Sequence, residues 1–489
     1  MRNAACESRN DFLPRITLHA LVALLFCLCR AGTTSAHGFG QRYDLPVPLW
    51  LYMTGAAAAV ACSFLVVGVF VRGTHGQRPY PRLDLLRLPV GRLLAHPVCL
   101  FCLRLLSVLL FVLLLLTGLL GDPHPMRNLA PTLVWIVWWV GLAYVSTLGG
   151  NLWAVLNPWQ VLFTWAAALA HRVIPTLELT LPLPYPRALG QWPGVLLFLA
   201  FAWIELVFAG SAVPARLALL ILGYSGITWT GMALFGPEVW LKHGEAFSLV
   251  FGLLARFAPT EVRVVAPAVC RACRLDCWDQ DGECIDCYAC FRRAELPQRQ
   301  WNLRPFAVGL LWHRVTSTSE MAFVLLLLAT VTFDGLMATP LWAGIETTLD
   351  ALLPHLGAVR LVGLRTLGLV ALPLLCLGIY HAFCWLMAVV SGRRLSGGTL
   401  ARAFIFTLVP IALAYHVAHY FSFLLIQGQF ILPLLSDPFG VGWDLLGTAG
   451  YRPNIGLVGA RFAWFTAITA IVAGHVIAVS LAHLVALRT

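Results

Sequence analysis

Within "LVPIALAYHVAHYFSFLLIQGQ" (408–429), His416 and His419 stand three residues apart. On a helix that spacing puts both imidazoles on one face. There they can ligate one metal ion or serve sites shared with other helices. They can equally stand as neutral histidines hydrogen-bonded to neighbouring helices. Tyr415 and Tyr420 flank them. The side chains that might join them are Asp437 and Asp444 of "DPFGVGWDLLGT", Asp334 of "TFDG", His475 of "VAGHVIAV", Glu205, and His37 and Asp44 of "AHGFGQRYDLPVP". Histidine and aspartate around one or two divalent ions, with zinc preferred, form a hydrolytic centre. The metal lowers the pKa of bound water and polarises a phosphoryl oxygen. The catalytic candidates are therefore His416, His419, Asp437, Asp444 and Asp334, with His475 and His37 as further metal ligands. Asp437 is also an ordinary turn residue before Pro438.

A second set lies in "CRACRLDCWDQDGECIDCYAC", which holds Cys270, Cys273, Cys277, Cys284, Cys287 and Cys290. The spacing C-x2-C-x3-C-x6-C-x2-C-x2-C matches neither the usual ferredoxin run nor a standard zinc finger. Paired C-x2-C units place two sulfurs on one turn, close enough to share an ion. Four thiolates satisfy a tetrahedral zinc, and four also hold an iron–sulfur cluster. A closed thiolate site has no open position for substrate, so this set reads as a structural clamp. His381 and Cys384, with Glu320, form a second polar candidate layer.

The elements that must position these residues are membrane helices. The chain has 489 residues, 60% hydrophobic and 11% charged, against about 25% charged for a soluble domain. The fold class is all-α, a polytopic helical membrane protein of about nine spans. Residues 1–36 read as a signal peptide, with Arg2, Arg9 and Arg15 before the apolar run 18–29 and "AGTTSA" ending at Ala36. An uncleaved first helix is the alternative. Cleavage leaves His37 as a new N-terminus, whose amine and imidazole suit copper. Spans are expected at 47–71, 99–120, 131–149, 193–210, 215–236, 312–333, 361–390, 403–426 and 461–486. That divides the chain into five spans within 37–236, a cytoplasmic Cys-rich loop at 237–311, and four spans within 312–489. Short helices are expected at 157–173 and within 334–360.

The net charge of +11 is topological and does not point to nucleic acid. Arginines gather in loops 72–98, 237–311 and 391–402, whereas 121–130 and 427–460 carry only Arg127 and Arg452. Positive-inside places the first group in the cytoplasm, with the mature N-terminus periplasmic and the C-terminus cytoplasmic in a bacterial inner membrane. Cytoplasmic thiols stay reduced, which favours metal over disulfides at the six cysteines. The tryptophans of "LVWIVWWVG" (133–141) read as lipid-facing or interfacial anchors.

Six stretches together resemble a family of bacterial integral membrane proteins labelled fenitrothion hydrolase. They are "AHGFGQRYDLPVPLWLY", "NPW" (157–159), "CFRRAE", "TFDG", "LVPIALAYHVAHYFSFLLIQGQ" and "DPFGVGWDLLGT". The resemblance implies hydrolysis of the aryl ester P–O bond of a lipophilic organophosphorothioate, and dependence on a second membrane subunit. It assigns no catalytic residues. Two other classes remain open on the residues. One is a metal or small-molecule transporter, against which the lack of an evident inverted repeat counts. The other is a membrane redox protein with iron–sulfur, haem or copper ligation.

Overall fold

The computed structural model describes residues 37–38, 41–42, 49–70, 80–181, 183–271, 273, 275, 277, 283–311 and 316–488, with side chains omitted at 37–38, 41–42, 49, 51–52 and 66–70. The expected signal peptide and Asp44 lie outside the described residues. His37–Gly38 (β1) pairs antiparallel with Gln41–Arg42 (β2).

Eight described helical segments are long and apolar enough to cross a membrane, and the chain is a multi-pass helical membrane protein. The helix Leu49–Phe70 (α1) lies where a ninth span is expected and packs on the C-terminal helix. Then follow Pro97–Leu120 (α2), Leu129–Gly149 (α3), the shorter Pro158–Val173 (α4), Trp192–Leu206 (α5) and Pro214–Phe235 (α6). Pro237–His243 (α7) and Ala246–Ala255 (α8) are too short to span. Thr318–Met337 (α9), Pro340–Leu352 (α10), Gly357–Val390 (α11), Val409–Gln427 (α12) and Ala460–Ala486 (α13) complete the set. Local signals set several starts. Asn157 caps α4 by accepting from the Trp159 and Gln160 amides, with Pro158 at the first helical position. Ser317 caps α9 and Thr339 caps α10.

The loops gather on two faces. Leu83–Asp84 (β3) pairs with Arg299–Leu303 (β6), and Arg488 donates to the Leu311 carbonyl at 2.9 Å, which puts 80–88, 260–311 and the C-terminus together. On the opposite face Asp122 N donates to Phe439 O at 2.7 Å and Leu129 N to Pro438 O at 3.3 Å. The described residues of 80–88 and 260–311, which carry many of the arginines, share the first face.

Two expectations need correction. The segment 237–311, expected as a cytoplasmic loop, does not lie wholly outside the bundle of spans. Glu245, which begins α8, is buried and accepts from the Tyr224 hydroxyl at 2.5 Å. Tyr224 lies midway along α6. Seven of the ten residues of α8 are buried, so α7 and α8 fold back among the spans. An apolar decamer, with its capping carboxylate satisfied, is at home there. Glu245 also accepts from Ser248 Oγ at 2.6 Å, the Phe247 and Ser248 amides, Trp153 and Asn157. Each lone pair has a donor, which is what a buried carboxylate requires.

The described residues of 260–303, together with β3, form a small folded layer built on the sheet order β3-β6-β4-β5, where β4 is Thr260–Val264 and β5 is Cys284–Ile285. Its centre is Glu261, whose carboxylate takes Tyr80 at 2.6 Å, Arg82 at 2.7 Å, Arg304 at 3.0 Å and Asn302 at 3.2 Å. The side chains of both Glu261 and Arg304 are fully buried.

The tryptophans of α3 are also not lipid anchors. Trp139 is 7% exposed, and Trp138 packs edge-on to Phe247 of α8 at 4.5 Å. The backbone winds as a π-helix over Thr132–Gly141, a rare turn that changes which side chains share a face. Between membrane helices the driving force is close packing and buried polar bonding rather than escape from water. The α12–α13 contact shows it: a Cβ on Gly474 would overlap Ala414 and the Pro410 carbonyl.

Candidate functional site

Three spans bring polar groups to one place. From α12 come His416, His419 and Tyr420, from α9 Asp334, and from α5 Glu205. Asp334 and Glu205 sit near the ends of their helices toward the second face. Asp334 Oδ2 lies 2.9 Å from His419 Nε2 and accepts the Tyr420 hydroxyl at 2.5 Å. Successive residues of α12 thus share one oxygen of α9.

His416 is differently placed. Its ring packs between Tyr420 at 4.8 Å and Tyr144 at 5.4 Å between centroids. Its Nε2 is buried with no hydrogen-bond partner.

His416, Asp334, Glu205, Tyr420 and Trp139 line a cavity of about 40 Å³. That is room for a water or two, and too little for an aryl phosphotriester. Its walls are mostly apolar, and the few polar groups there, Glu205, Asp334, Tyr420 and His416, are the partners a bound water would have.

Other expected members lie elsewhere. Asp437 accepts from the Val441 amide at 3.0 Å and the Gly442 amide at 2.7 Å, and Asp444 from Ser436 Oγ at 2.6 Å and the Ala449 amide at 2.9 Å. Both carboxylates hold the turn after residue 436, and neither lines the cavity. The Ser436 and backbone donors hold Asp444 below the usual carboxylate range. His475 bonds its own Ile471 carbonyl at 2.8 Å and faces Tyr415, on another side of α12 from the cavity. His37 contributes backbone to β1, and its side chain lies outside the described residues. His381 likewise bonds its own helix, through Leu377 O at 3.0 Å, and Glu320 pairs with Arg256 at 2.8 Å. They form no common layer.

On the first face a larger cavity, about 240 Å³, lies between α8, α9 and the cysteine layer. Its walls include Glu238, Arg256, Asp286, Arg292 and Glu320, with Cys277 and Cys287 beside them. Burial pushes the Asp286 carboxyl up, against the pull of Arg304.

Among the described residues, only cysteines bring three or more ligand atoms close enough to hold a metal ion. One set is Cys270, Cys277, Cys284 and Cys290; the other is Cys273, Cys277, Cys287 and Cys290. All six are free thiols. The soft, tetrahedral donor set fits a metal. His416, His419 and Asp334 do not converge on a common point and do not fit one.

Sequence reasoning missed Glu245, Trp139 and the Tyr80–Glu261–Arg304 network. The carboxylate directly before the apolar run "AFSLVFGLLA" was the one available sign for Glu245. Compared with known proteins, the chain matches no family model, no curated protein and no solved structure.

Proposed function

We propose that this chain is a membrane-embedded hydrolase of lipophilic phosphotriesters, cleaving the aryl ester P–O bond of fenitrothion-like organophosphorothioates. The observation that carries the proposal is His416 Nε2, a buried and unpartnered imidazole nitrogen on a residue that lines a water-sized cavity. The resemblance in six sequence stretches supports the substrate class. A neutral phosphotriester partitions into the bilayer and approaches at His419, whose side chain is 31% exposed. The water occupies the cavity. His416 Nε2 takes a proton as the water oxygen bonds to phosphorus, and the P–O(aryl) bond breaks. The nitrophenolate leaves with the electron pair and needs little acid assistance. His419, held by Asp334, borders the approach to the cavity and positions the substrate there. Because the histidines and Asp334 do not form a metal set, the proton is routed through His416 rather than through a bound ion.

The positive-inside bias supports a first face in the cytoplasm of a bacterial inner membrane, with the His416 site toward the periplasm. A second membrane subunit is part of the proposal as a partner that widens the substrate entrance and raises turnover, while the chemistry belongs to this chain alone. The test is nitrophenol release in proteoliposomes holding the chain alone, beside His416→Ala. Release by the parent and not by the variant supports the reading. Equal release from both removes the site.

One observation favours a second reading, a transporter. The two cavities follow each other along α8 and α9, with Arg256 and Glu320 lining one and Leu254, Thr330 and Asp334 the other. Substrate-dependent ion or proton flux without hydrolysis distinguishes it.

A further inference from the structure

The two cysteine sets overlap. Each has four thiols, and Cys277 and Cys290 belong to both. Two tetrahedra that share one edge have six vertices, and six cysteines are present. We propose that they hold two metal ions, zinc by preference, bridged by the thiolates of Cys277 and Cys290. Cys270 and Cys284 are terminal ligands of one ion, and Cys273 and Cys287 of the other.

The distances fit. A tetrahedral zinc–thiolate bond of about 2.3 Å gives a sulfur–sulfur edge of about 3.8 Å. The Sγ atoms of Cys277 and Cys290 are 3.5 Å apart, Cys277 and Cys284 3.6 Å, and Cys273 and Cys287 4.0 Å. The shortest is the proposed shared edge. An iron–sulfur cube interposes iron and sulfide between cysteines that each bind a different iron. It needs its thiolates further apart than the 4.8 Å that bounds each set.

The sequence order fits as well. The cysteines fall into two triplets, 270-273-277 and 284-287-290. Each triplet sends its first thiol to one ion, its second to the other, and its third to the bridge. Here the first C-x2-C unit of each triplet straddles two ions and does not chelate one. A single ion would leave two buried or half-buried thiols idle, whereas two ions use all six. Two divalent ions with six thiolates carry a net charge of −2, the same as one ion with four, and six protons leave on filling. Arg292 and Arg293 follow Cys290 on one short helix and share a single carboxylate, Glu238, which leaves a net positive charge beside the cluster. The cluster fastens β5 and that helix into one layer.

The experiment is metal and acid-labile sulfide analysis of the full chain, reduced, titrated with Zn2+ in detergent and freed of excess metal, with native mass spectrometry for stoichiometry. Two zinc ions per chain without sulfide is expected. Cys273→Ser should retain one ion, and Cys277→Ser should weaken both. The parent protein loaded with cadmium-113 gives a reading that needs no variant: two tetrathiolate resonances, coupled through the shared sulfurs. Any saturating count other than two, or iron with matching sulfide, overturns the proposal.

Discussion

Asp334 Oδ2 lies 2.9 Å from His419 Nε2, and the same oxygen accepts the Tyr420 hydroxyl at 2.5 Å. A carboxylate within a bilayer is costly unless donors surround it. Here two consecutive residues of α12 supply them, which ties α9 to α12 beside the cavity. Asp334→Asn keeps the shape and removes the charge. Hydrolysis should fall by roughly 10-fold to 100-fold, as when the partner that orients a functional histidine is lost. The check is steady-state kinetics, with protein amount and folding confirmed in the same membranes.

His416 and His475 make opposite expectations from similar sequence contexts. His416 has a free Nε2 on the cavity, whereas His475 bonds its own helix. His416→Ala should lower kcat by about 10²-fold to 10⁴-fold, the usual weight of a general base. His475→Ala should leave kcat within a factor of a few. Parallel rate measurements on both variants check this.

Glu261 and Arg304 form a buried ion pair. Glu261→Gln removes the nearer carboxylate from the buried Arg304 guanidinium, leaving Asp286 at 3.4 Å as its charged partner, and should destabilise the first-face layer by about 3 kcal/mol. Limited proteolysis and thermal unfolding should show the loss in residues 260–303 before the spans are affected.

Tyr80 gives the pH signature of the same network. Burial, and then the Glu261 charge, push its hydroxyl up to about 12, from an ordinary value near 10. The raised value means that the folded layer favours the neutral phenol. Its contribution is complete below pH about 10 and is lost as pH rises through about 12. Thermal stability followed across that window should decline in the parent, with a smaller decline in Tyr80→Phe. Tyrosinate absorbance reports the titration directly.

Membrane spans were legible because about 20 apolar residues are needed to cross a bilayer, and runs of that length stand out in sequence. The α7–α8 hairpin was not legible, since a ten-residue apolar run inside a charged loop carries no sign of depth. Trp139 was misread because a tryptophan-rich span suits lipid and core alike; the π-wound backbone decides which way it faces. Asp437 and Asp444 drew attention as carboxylates near the histidines in sequence. Their turn amides, however, sit within five residues, and short-range bonding took precedence over a distant site. His419 found its partner in Asp334, 85 residues earlier in the chain, and only packing joins them.

The most direct measurement is fenitrothion turnover in heavy-oxygen water by proteoliposomes containing the chain, with His416→Ala alongside. Expected is nitrophenol release with the label in the dialkyl thiophosphate, abolished or nearly so in the variant. No release from the folded parent, label in the nitrophenol, or release undiminished by the substitution would contradict water attack at phosphorus assisted by His416.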